Sequence, residues 1–326
     1  AGGERLPSVS EAEGCTAAFS PFLPQKQYVP TVSVSALFPN LFLKELFNML
    51  DILIAALFGL VEGITEWLPI SSTGHMILLN DLISMNVSQK FWEMFLVVIQ
   101  LGAILAVVVL FWNRLFPFGK GKTGGIVIKK DIFSLWGKII VACLPAAVIG
   151  LLFDSYFEAL FYNKWTVAIM LILVGIVFIL LENRNKNKKP TVTSTANITY
   201  KAALIIGLFQ LVAAVFPGTS RSGATILGGL MIGLSRKTAA DFTFFLAVPV
   251  MFGASLLKIV KFGFGFTGLE LAILLVGMAV AFVVSVIAIK FLLGYIKKHD
   301  FKVFGWYRIA LGILVLGVGI FQAIGA

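Results

Sequence analysis

Two glutamates and a hydroxyl-rich stretch stand close together within residues 62–75. Glu62 and Glu66 are four residues apart, so they share one face if the segment is helical. Two carboxylates in one small site either bind a hard cation through oxygen or divide the roles of acid and base between them. The competing interpretation is a structural pair that caps or bonds to neighbouring helices. The spacing therefore predicts that Glu62 and Glu66 are catalytic and bind a metal ion.

The hydroxyl-rich stretch Ser71-Ser72-Thr73-Gly74 lies where a new helix is predicted to begin, near His75. Helix N-termini with small residues bind anions, so Ser71 and Thr73 are predicted to contact a phosphate. Alone, such a stretch is more often an N-cap than a nucleophile. His75 follows by about one helical turn, within predicted reach of a serine hydroxyl, and general-base activation of a serine requires that relation.

A second polar segment, residues 217–225, reads Pro-Gly-Thr-Ser-Arg-Ser-Gly-Ala-Thr between apolar flanks. Its arginine, Arg221, offers a planar fork for bidentate contact with a phosphate or a carboxylate. The competing interpretation is a structural ion pair with Glu62 or Glu66, and both roles can coexist when substrate is absent. The hydroxyl groups predicted to bind the same anion belong to Ser220, Ser222 and Thr225.

The composition is that of an integral membrane protein. Hydrophobic residues make up 59% of the 326 and charged residues 13%, with a mean hydropathy of +0.98, whereas soluble domains carry about 25% charged residues. Polar side chains are costly at membrane depth, so the two polar segments are functional-site hypotheses. The apolar runs lack the alternation of a transmembrane β-barrel and have the length of membrane-spanning helices. They are residues 92–112, 138–153, 165–182, 240–260, 269–293 and 306–325.

Two further apolar segments, residues 52–79 and 202–234, are interrupted by Pro, Gly and hydroxyl residues. With an offset of 148 they match at several positions, and Pro69 meets Pro217 while Ser72 meets Ser220. Paired interrupted segments are typical of an internal repeat with its binding site at the repeat interface. The predicted halves are residues 49–182 and 201–326, within one membrane domain spanning residues 49–326.

The distribution of basic residues predicts the topology. Lysines and arginines concentrate in the loops around residues 114–130, 184–201, 236–237 and 297–302, which the positive-inside rule places in the cytoplasm. Segment 202–234 then enters and leaves from the cytoplasmic side, and segment 52–79 does so from outside. We therefore predict an all-α integral membrane protein with six transmembrane helices and two re-entrant helical hairpins in an inverted-topology repeat.

Two other features of the chain carry lesser predictions. The net charge of +10 lies in short loops between spans, so anionic lipid explains it better than nucleic acid. Residues 1–48 begin with Ala and mix Gly, Ser, Pro and charge without a sustained period. They are predicted to form a flexible or non-native extension, with Met49 as a natural start.

At these polar segments the chain resembles the bacitracin-resistance type of undecaprenyl-diphosphate phosphatase. The first shared signature is the glutamate pair followed by Pro-Ile-Ser-Ser-Thr-Gly-His at residues 69–75, and the second is segment 217–225. The resemblance extends from about Met49 to the C-terminus. It implies a bacterial inner-membrane enzyme that hydrolyses undecaprenyl diphosphate to undecaprenyl phosphate and inorganic phosphate. That reaction recycles the lipid carrier for peptidoglycan synthesis.

The resemblance also implies a metal-dependent site at Glu62, Glu66, Ser72, His75 and Arg221. We expect Mg²⁺, with Ca²⁺ as the alternative, at the glutamates and the terminal phosphate at the arginine. The serine attacks with the histidine as its base, or water attacks directly; both routes stay open. The expected partners are a polyprenyl diphosphate lipid and membrane lipid, with monomer and homodimer both open. The site is expected to open toward the outer, periplasmic face.

Two rival functions were weighed against this interpretation. The type-2 phosphatidic acid phosphatases need two histidines, but no histidine follows Arg221 until His299, and Lys189-Pro190 in a loop is the one Lys-Pro or Arg-Pro pair. The other rival is a transporter or flippase for a prenyl-phosphate carrier, since inverted repeats with re-entrant segments are typical of transporters. A transporter needs ligands for its substrate but not a serine beside a histidine and a carboxylate pair.

Overall fold

The computed structural model describes residues 41–120 and 126–324, and almost all of them are helical. The helices are α1 (Leu41–Thr65), α2 (Ser72–Leu82), α3 (Gln89–Leu110), α4 (Trp112–Leu115), α5 (Lys130–Phe161), α6 (Lys164–Asn185), α7 (Tyr200–Val215), α8 (Arg221–Met231), α9 (Arg236–Phe262), α10 (Gly268–Tyr295) and α11 (Lys302–Ile324). A short antiparallel hairpin joins α4 to α5. Its strands are β1 (Phe118–Lys120) and β2 (Ile126–Ile128), with Phe118 opposite Ile128. One 3₁₀ turn, Thr195–Asn197, precedes α7.

Within residues 41–120 and 126–324, seven helices are long and apolar enough to cross a membrane: α1, α3, α5, α6, α9, α10 and α11. The prediction of an all-α, multi-pass membrane protein is therefore confirmed. The six predicted apolar runs each coincide with one of the last six of these helices. The remaining long helix, α1, matches none of these runs and begins before Met49. The described end of the predicted extension, residues 41–48, is therefore continuous helix. The rest of that extension lies outside the described residues.

The helices of the two predicted halves pack mainly against each other. Helix α1 packs on α10 and α7 packs on α5, so the first helix of each half meets the next-to-last helix of the other half. The third helices, α3 and α9, pack together, and so do the last helices, α6 and α11. Each half is thus covered by the other. The halves themselves, residues 49–182 and 201–326, stay a prediction.

Glycines bring several of these helices into backbone contact. A side chain at Gly59 of α1 would meet the carbonyl of Gly277 on α10, and one at Gly207 of α7 would meet that of Ala142 on α5. Gly175 and Gly305 make a reciprocal contact between α6 and α11. Small residues at such crossings let helices approach closely, and dispersion and close packing drive helix association in a bilayer. These contacts pack long helices of the first half directly against long helices of the second half, or against the first helix of that half.

Substituting Ala for Gly102 is expected to lower the free energy of unfolding by about 1–3 kcal/mol, a typical cost of overpacking. The added methyl would collide with the backbone of Met278 on α10. Gly150→Ala on α5 is the matched control, since no atom lies within 4 Å of the new methyl. Reversible unfolding in mixed detergent would measure both variants. Equal stabilities would contradict the close α3–α10 contact.

Candidate functional site

The site lies where two chain breaks, the first tip (residues 66–71) and the second tip (residues 216–220), meet inside the bundle. Each tip ends in a serine N-cap, Ser71 before α2 and Ser220 before α8. Their hydroxyls accept from the backbone N–H of Gly74 and Gly223 at 3.5 and 3.2 Å. Both have positive φ, 74° and 68°, and no other described non-glycine residue has. Non-glycine residues with positive φ cost about 1–3 kcal/mol and cluster at functional sites, so the tips have matching strained geometry.

The structure pairs the two tips one residue away from the predicted offset. The sequence alignment placed Ser72 opposite Ser220, whereas the N-caps pair Ser71 with Ser220. Ile70 alone separates the proline from the cap in the first tip, while Gly218 and Thr219 separate them in the second. Glycine at position 218 has φ 87°, which accommodates the extra residue. The correction makes Ser72 and Arg221 equivalent, since each is the first residue of its short helix.

Glu66 joins these two residues across the tips. Its Oε2 accepts a hydrogen bond from the Ser72 hydroxyl at 2.8 Å, and its Oε1 accepts from Nη2 of Arg221 at 2.8 Å. Nη1 of Arg221 donates to the Thr243 carbonyl at 3.1 Å, and the guanidinium lies 5.9 Å from the Trp67 ring centroid. The structural ion pair weighed for Arg221 is therefore present, with Glu66 as its partner. The Ser72 hydroxyl and the Arg221 guanidinium thus bind the two oxygens of one carboxylate, that of Glu66.

Glu62 is buried one helical turn before Glu66, whose backbone N–H donates to the Glu62 carbonyl at 3.0 Å. Its Oε1 has no hydrogen-bond partner, and a buried carboxylate oxygen normally has one. The described residues contain no cluster of three or more His, Cys, Asp or Glu. A cation here would rest on the two glutamates together with water or ligand oxygens, which is how proteins usually bind Mg²⁺. The donor set fits such an ion.

His75 is engaged away from Ser72, contrary to the predicted contact. Its Nδ1 lies 2.7 Å from the Ser71 carbonyl oxygen and its Nε2 lies 2.7 Å from the Tyr307 hydroxyl. Both ring nitrogens are therefore occupied, and the side chain in contact with the Ser72 hydroxyl is the Glu66 carboxylate. The spacing along the helix was read correctly. The direction of the ring is set by a tyrosine 232 residues later in the chain.

The other hydroxyls predicted to bind phosphate fall into two groups. Ser222 and Thr225 are buried and bonded within the protein, Ser222 to the Leu68 carbonyl at 3.4 Å and Thr225 to the Thr243 hydroxyl at 2.8 Å. Their hydroxyls stabilise the packing of the tips and are not accessible to a ligand. Thr73 and Ser220 are partly accessible beside Ser72 and Arg221. Thr73 and Ser220 are therefore the accessible members of this predicted set.

Arg308 on α11 was not predicted as a site residue, yet its guanidinium hydrogen-bonds to the backbone of both tips. Its Nη1 donates to the Pro69 carbonyl at 3.2 Å, and its Nη2 donates to the carbonyls of Gly218 and Thr219 at 2.7 and 2.9 Å. The side chain is fully buried. The available signal was an arginine inside the apolar run 306–325, because a charge within a span usually has a function or a specific partner.

These features define a multi-pass helical membrane protein with a partly buried glutamate–serine–arginine site. A family profile described as "Bacitracin resistance protein BacA" matches residues 55–314. The chain belongs to the BacA family, as its sequence signatures indicated.

Curated relatives agree with this assignment. An undecaprenyl-diphosphatase of Desulfitobacterium hafniense is 65% identical over 268 residues, covering 82% of this chain and 96% of the relative. Undecaprenyl-diphosphatase 1 of Clostridium acetobutylicum is 62% identical over 267 residues, covering 82% and 97%. An undecaprenyl-diphosphatase of Enterococcus faecalis is 61% identical over 269 residues, covering 82% and 97%. The matches therefore span nearly the whole length of each relative.

Proposed function

We propose that this protein hydrolyses undecaprenyl diphosphate to undecaprenyl phosphate and inorganic phosphate, returning the lipid carrier to cell-wall synthesis. One observation carries the proposal: Glu66 binds the Ser72 hydroxyl and the Arg221 guanidinium at once. Relatives that are 61–65% identical are named undecaprenyl-diphosphatases. A serine, a base and a cation in contact are the groups that phosphoryl transfer through a covalent intermediate needs.

The reaction begins with an exchange of ion-pair partners. The terminal phosphate replaces Glu66 at the fork of Arg221, which suits bidentate binding of phosphate oxygens. Glu66 then accepts the Ser72 proton while Oγ attacks the terminal phosphorus. The bond from phosphorus to the bridging oxygen breaks, and undecaprenyl phosphate leaves with that oxygen. Glu66 passes the serine proton to the departing phosphate and is a carboxylate again. Water then attacks the phosphoserine and gives a proton to Glu66, the bond between phosphorus and Oγ breaks, and the Ser72 oxygen takes that proton back as inorganic phosphate leaves. Direct attack by water, with Ser72 as a phosphate ligand, is the alternative route.

A divalent cation, Mg²⁺ or alternatively Ca²⁺, is part of the proposal. Glu62 and Glu66 would hold it, and the unpartnered buried Oε1 of Glu62 supports that choice. When bound, the cation neutralises charge on the diphosphate oxygens. The apolar helices around the tips accommodate the prenyl chain, which needs no polar recognition.

The function is tested by incubating purified protein in detergent with undecaprenyl diphosphate and measuring inorganic phosphate. Release is expected with Mg²⁺ and is expected to stop with excess EDTA. Vesicles that contain the purified protein distinguish the phosphatase from the rival transporter, because a transporter would move the lipid across the bilayer without releasing phosphate. Lipid movement without hydrolysis would contradict the proposed reaction.

The finer topology belongs to the same proposal. We propose that α1 with α2 and α7 with α8 are re-entrant hairpins among six full spans, in the bacterial inner membrane. Support comes from the tips, which meet through Glu66 and Arg221 and through the Ser222 hydroxyl on the Leu68 carbonyl. Basic loops on the cytoplasmic side leave the first hairpin approached from the periplasmic face.

Cysteine labelling checks this topology in a chain whose two native cysteines are replaced by serine. Lys188→Cys and Lys297→Cys are expected to resist an impermeant maleimide in intact cells and to react after permeabilisation, because basic loops are cytoplasmic. Lys90→Cys, exposed at the start of α3, is the matched control and is expected to react without permeabilisation. The reverse labelling pattern would invert the proposed orientation.

A further inference from the structure

Tyr307 reaches the first tip from α11, beside Arg308. Its hydroxyl oxygen lies 2.7 Å from Nε2 of His75, and the two rings stack with centroids 5.6 Å apart and an angle of 9° between their planes. Tyr307 is 47% exposed, so it approaches His75 from the accessible side of the tip. The reaction proposed above does not use this residue.

The hydrogen bonds of His75 fix its tautomer. The Ser71 carbonyl oxygen can only accept, so Nδ1 of His75 must carry the proton in their 2.7 Å contact. In the neutral ring, Nε2 then accepts from the Tyr307 hydroxyl. The Tyr307 hydroxyl thus donates to His75, and His75 in turn donates to the Ser71 carbonyl.

That carbonyl belongs to the peptide unit that joins Ser71 to Ser72. Because a peptide unit is planar, fixing its oxygen fixes the amide nitrogen and α-carbon of Ser72 as well. Ser71 has φ 74°, which its neighbours must maintain. In the second tip the equivalent carbonyl, that of Ser220, accepts from the backbone N–H of Ala224 at 2.9 Å, and alanine has no side-chain donor. Of the two tips, the first therefore has the contact from a histidine ring, and the first is the tip followed by Ser72.

We propose that Tyr307 is a positioning residue for phosphate release, an inference that rests on the proposed function. Its hydroxyl holds the His75 ring in place through Nε2, and the ring, through its Nδ1–H, holds the strained peptide from which Ser72 points at Glu66. His75 acts here through Ser71 and not as the base for the serine. Small displacements of a reacting group cost large factors in rate, so a distant hydroxyl can affect turnover.

Nitrogen-15 NMR tests the tautomer without any assay of activity. The chain has two histidines, so histidine labelling gives two rings to assign, and His299→Gln identifies the exposed one. The His75 ring is expected to show a protonated Nδ1 and an unprotonated Nε2 in the parent. In Tyr307→Phe the Nε2 signal is expected to move, because this nitrogen loses the hydroxyl that donates to it, while Nδ1 stays protonated against the Ser71 carbonyl. An unchanged His75 signal in Tyr307→Phe would overturn the proposal.

A double-mutant cycle tests the positioning role. Loss of one hydrogen bond predicts that Tyr307→Phe lowers kcat about 3- to 10-fold with KM within about twofold. The same substitution in a His75→Ala background is expected to have no further effect, because its route to the serine is gone. An equal loss in that background would show that Tyr307 acts elsewhere and would overturn the proposal. Tyr156→Phe, exposed on α5, is the control with unchanged kinetics.

The two proposals fail in different ways. If the parent releases no phosphate, the proposed reaction is wrong, whatever the NMR signals show. If the parent is active but the cycle is additive, the reaction stands and the role of Tyr307 is wrong.

Discussion

Glu66→Gln is expected to lower kcat for phosphate release by about 100- to 10,000-fold, the range that one general base contributes. Glutamine keeps the shape of the side chain but removes its charge. The Ser72 hydroxyl then loses its proton acceptor, and Arg221 loses the partner that it exchanges for phosphate. The proposed cation also loses one of its two carboxylates.

Initial rates with undecaprenyl diphosphate at saturating Mg²⁺ measure this effect. Glu45→Gln is the matched control, because Glu45 lies on the same helix and is exposed; its activity should equal that of the parent. Retention of more than a tenth of parental kcat in Glu66→Gln would contradict its role as the base. Full activity of that variant in excess EDTA would end the metal proposal as well.

Ser72→Ala is expected to lower kcat by about 100-fold or more, because water must then attack without the covalent step. Substrate affinity should change little, since one hydroxyl contributes roughly 0.5–1.5 kcal/mol net to binding. The partner of that hydroxyl, Glu66, still binds Arg221, so the tip is expected to stay folded. The substitution should therefore lower kcat while the affinity for the substrate stays nearly unchanged.

Acid quenching after brief mixing with substrate labelled in its terminal phosphate detects the intermediate directly. The parent is expected to retain label on the protein and Ser72→Ala to retain none. Ser84→Ala, an exposed serine beyond α2, is the control and should behave as the parent. If Ser72→Ala keeps a tenth or more of parental kcat, the covalent route is wrong and Glu66 activates water.

The class of the protein was predictable because each membrane-spanning helix must be apolar along its own length. A run of some 20 apolar residues therefore predicts one helix without knowledge of its neighbours. The Glu66 and Arg221 contact was also within reach, because few carboxylates are available to a buried arginine. The start of α1 was missed, since residues 41–48 follow Pro39 and were grouped with the irregular stretch before them, although five of these eight residues are apolar and continue the helix.

The details of the tips could not be predicted, because they depend on groups far along the chain. His75 turns away from Ser72 because Tyr307 and the Ser71 carbonyl take its two nitrogens. The alignment of the halves shifts by one residue because Gly218 turns with positive φ. Neither cause is visible in the spacing of the signature itself. Periodicity describes one element at a time, and these contacts join three.

The three carbonyls bonded to Arg308 also bear on how the site can open. Pro69 belongs to the first tip, and Gly218 and Thr219 belong to the second, so one buried guanidinium spans the junction. Rocking one half against the other, as alternating-access carriers do, would pull these acceptors apart. Breaking hydrogen bonds to a charged group costs about 1.5–3 kcal/mol each. These bonds therefore oppose rocking at the junction, which favours entry of a head group between tips that keep their relative positions.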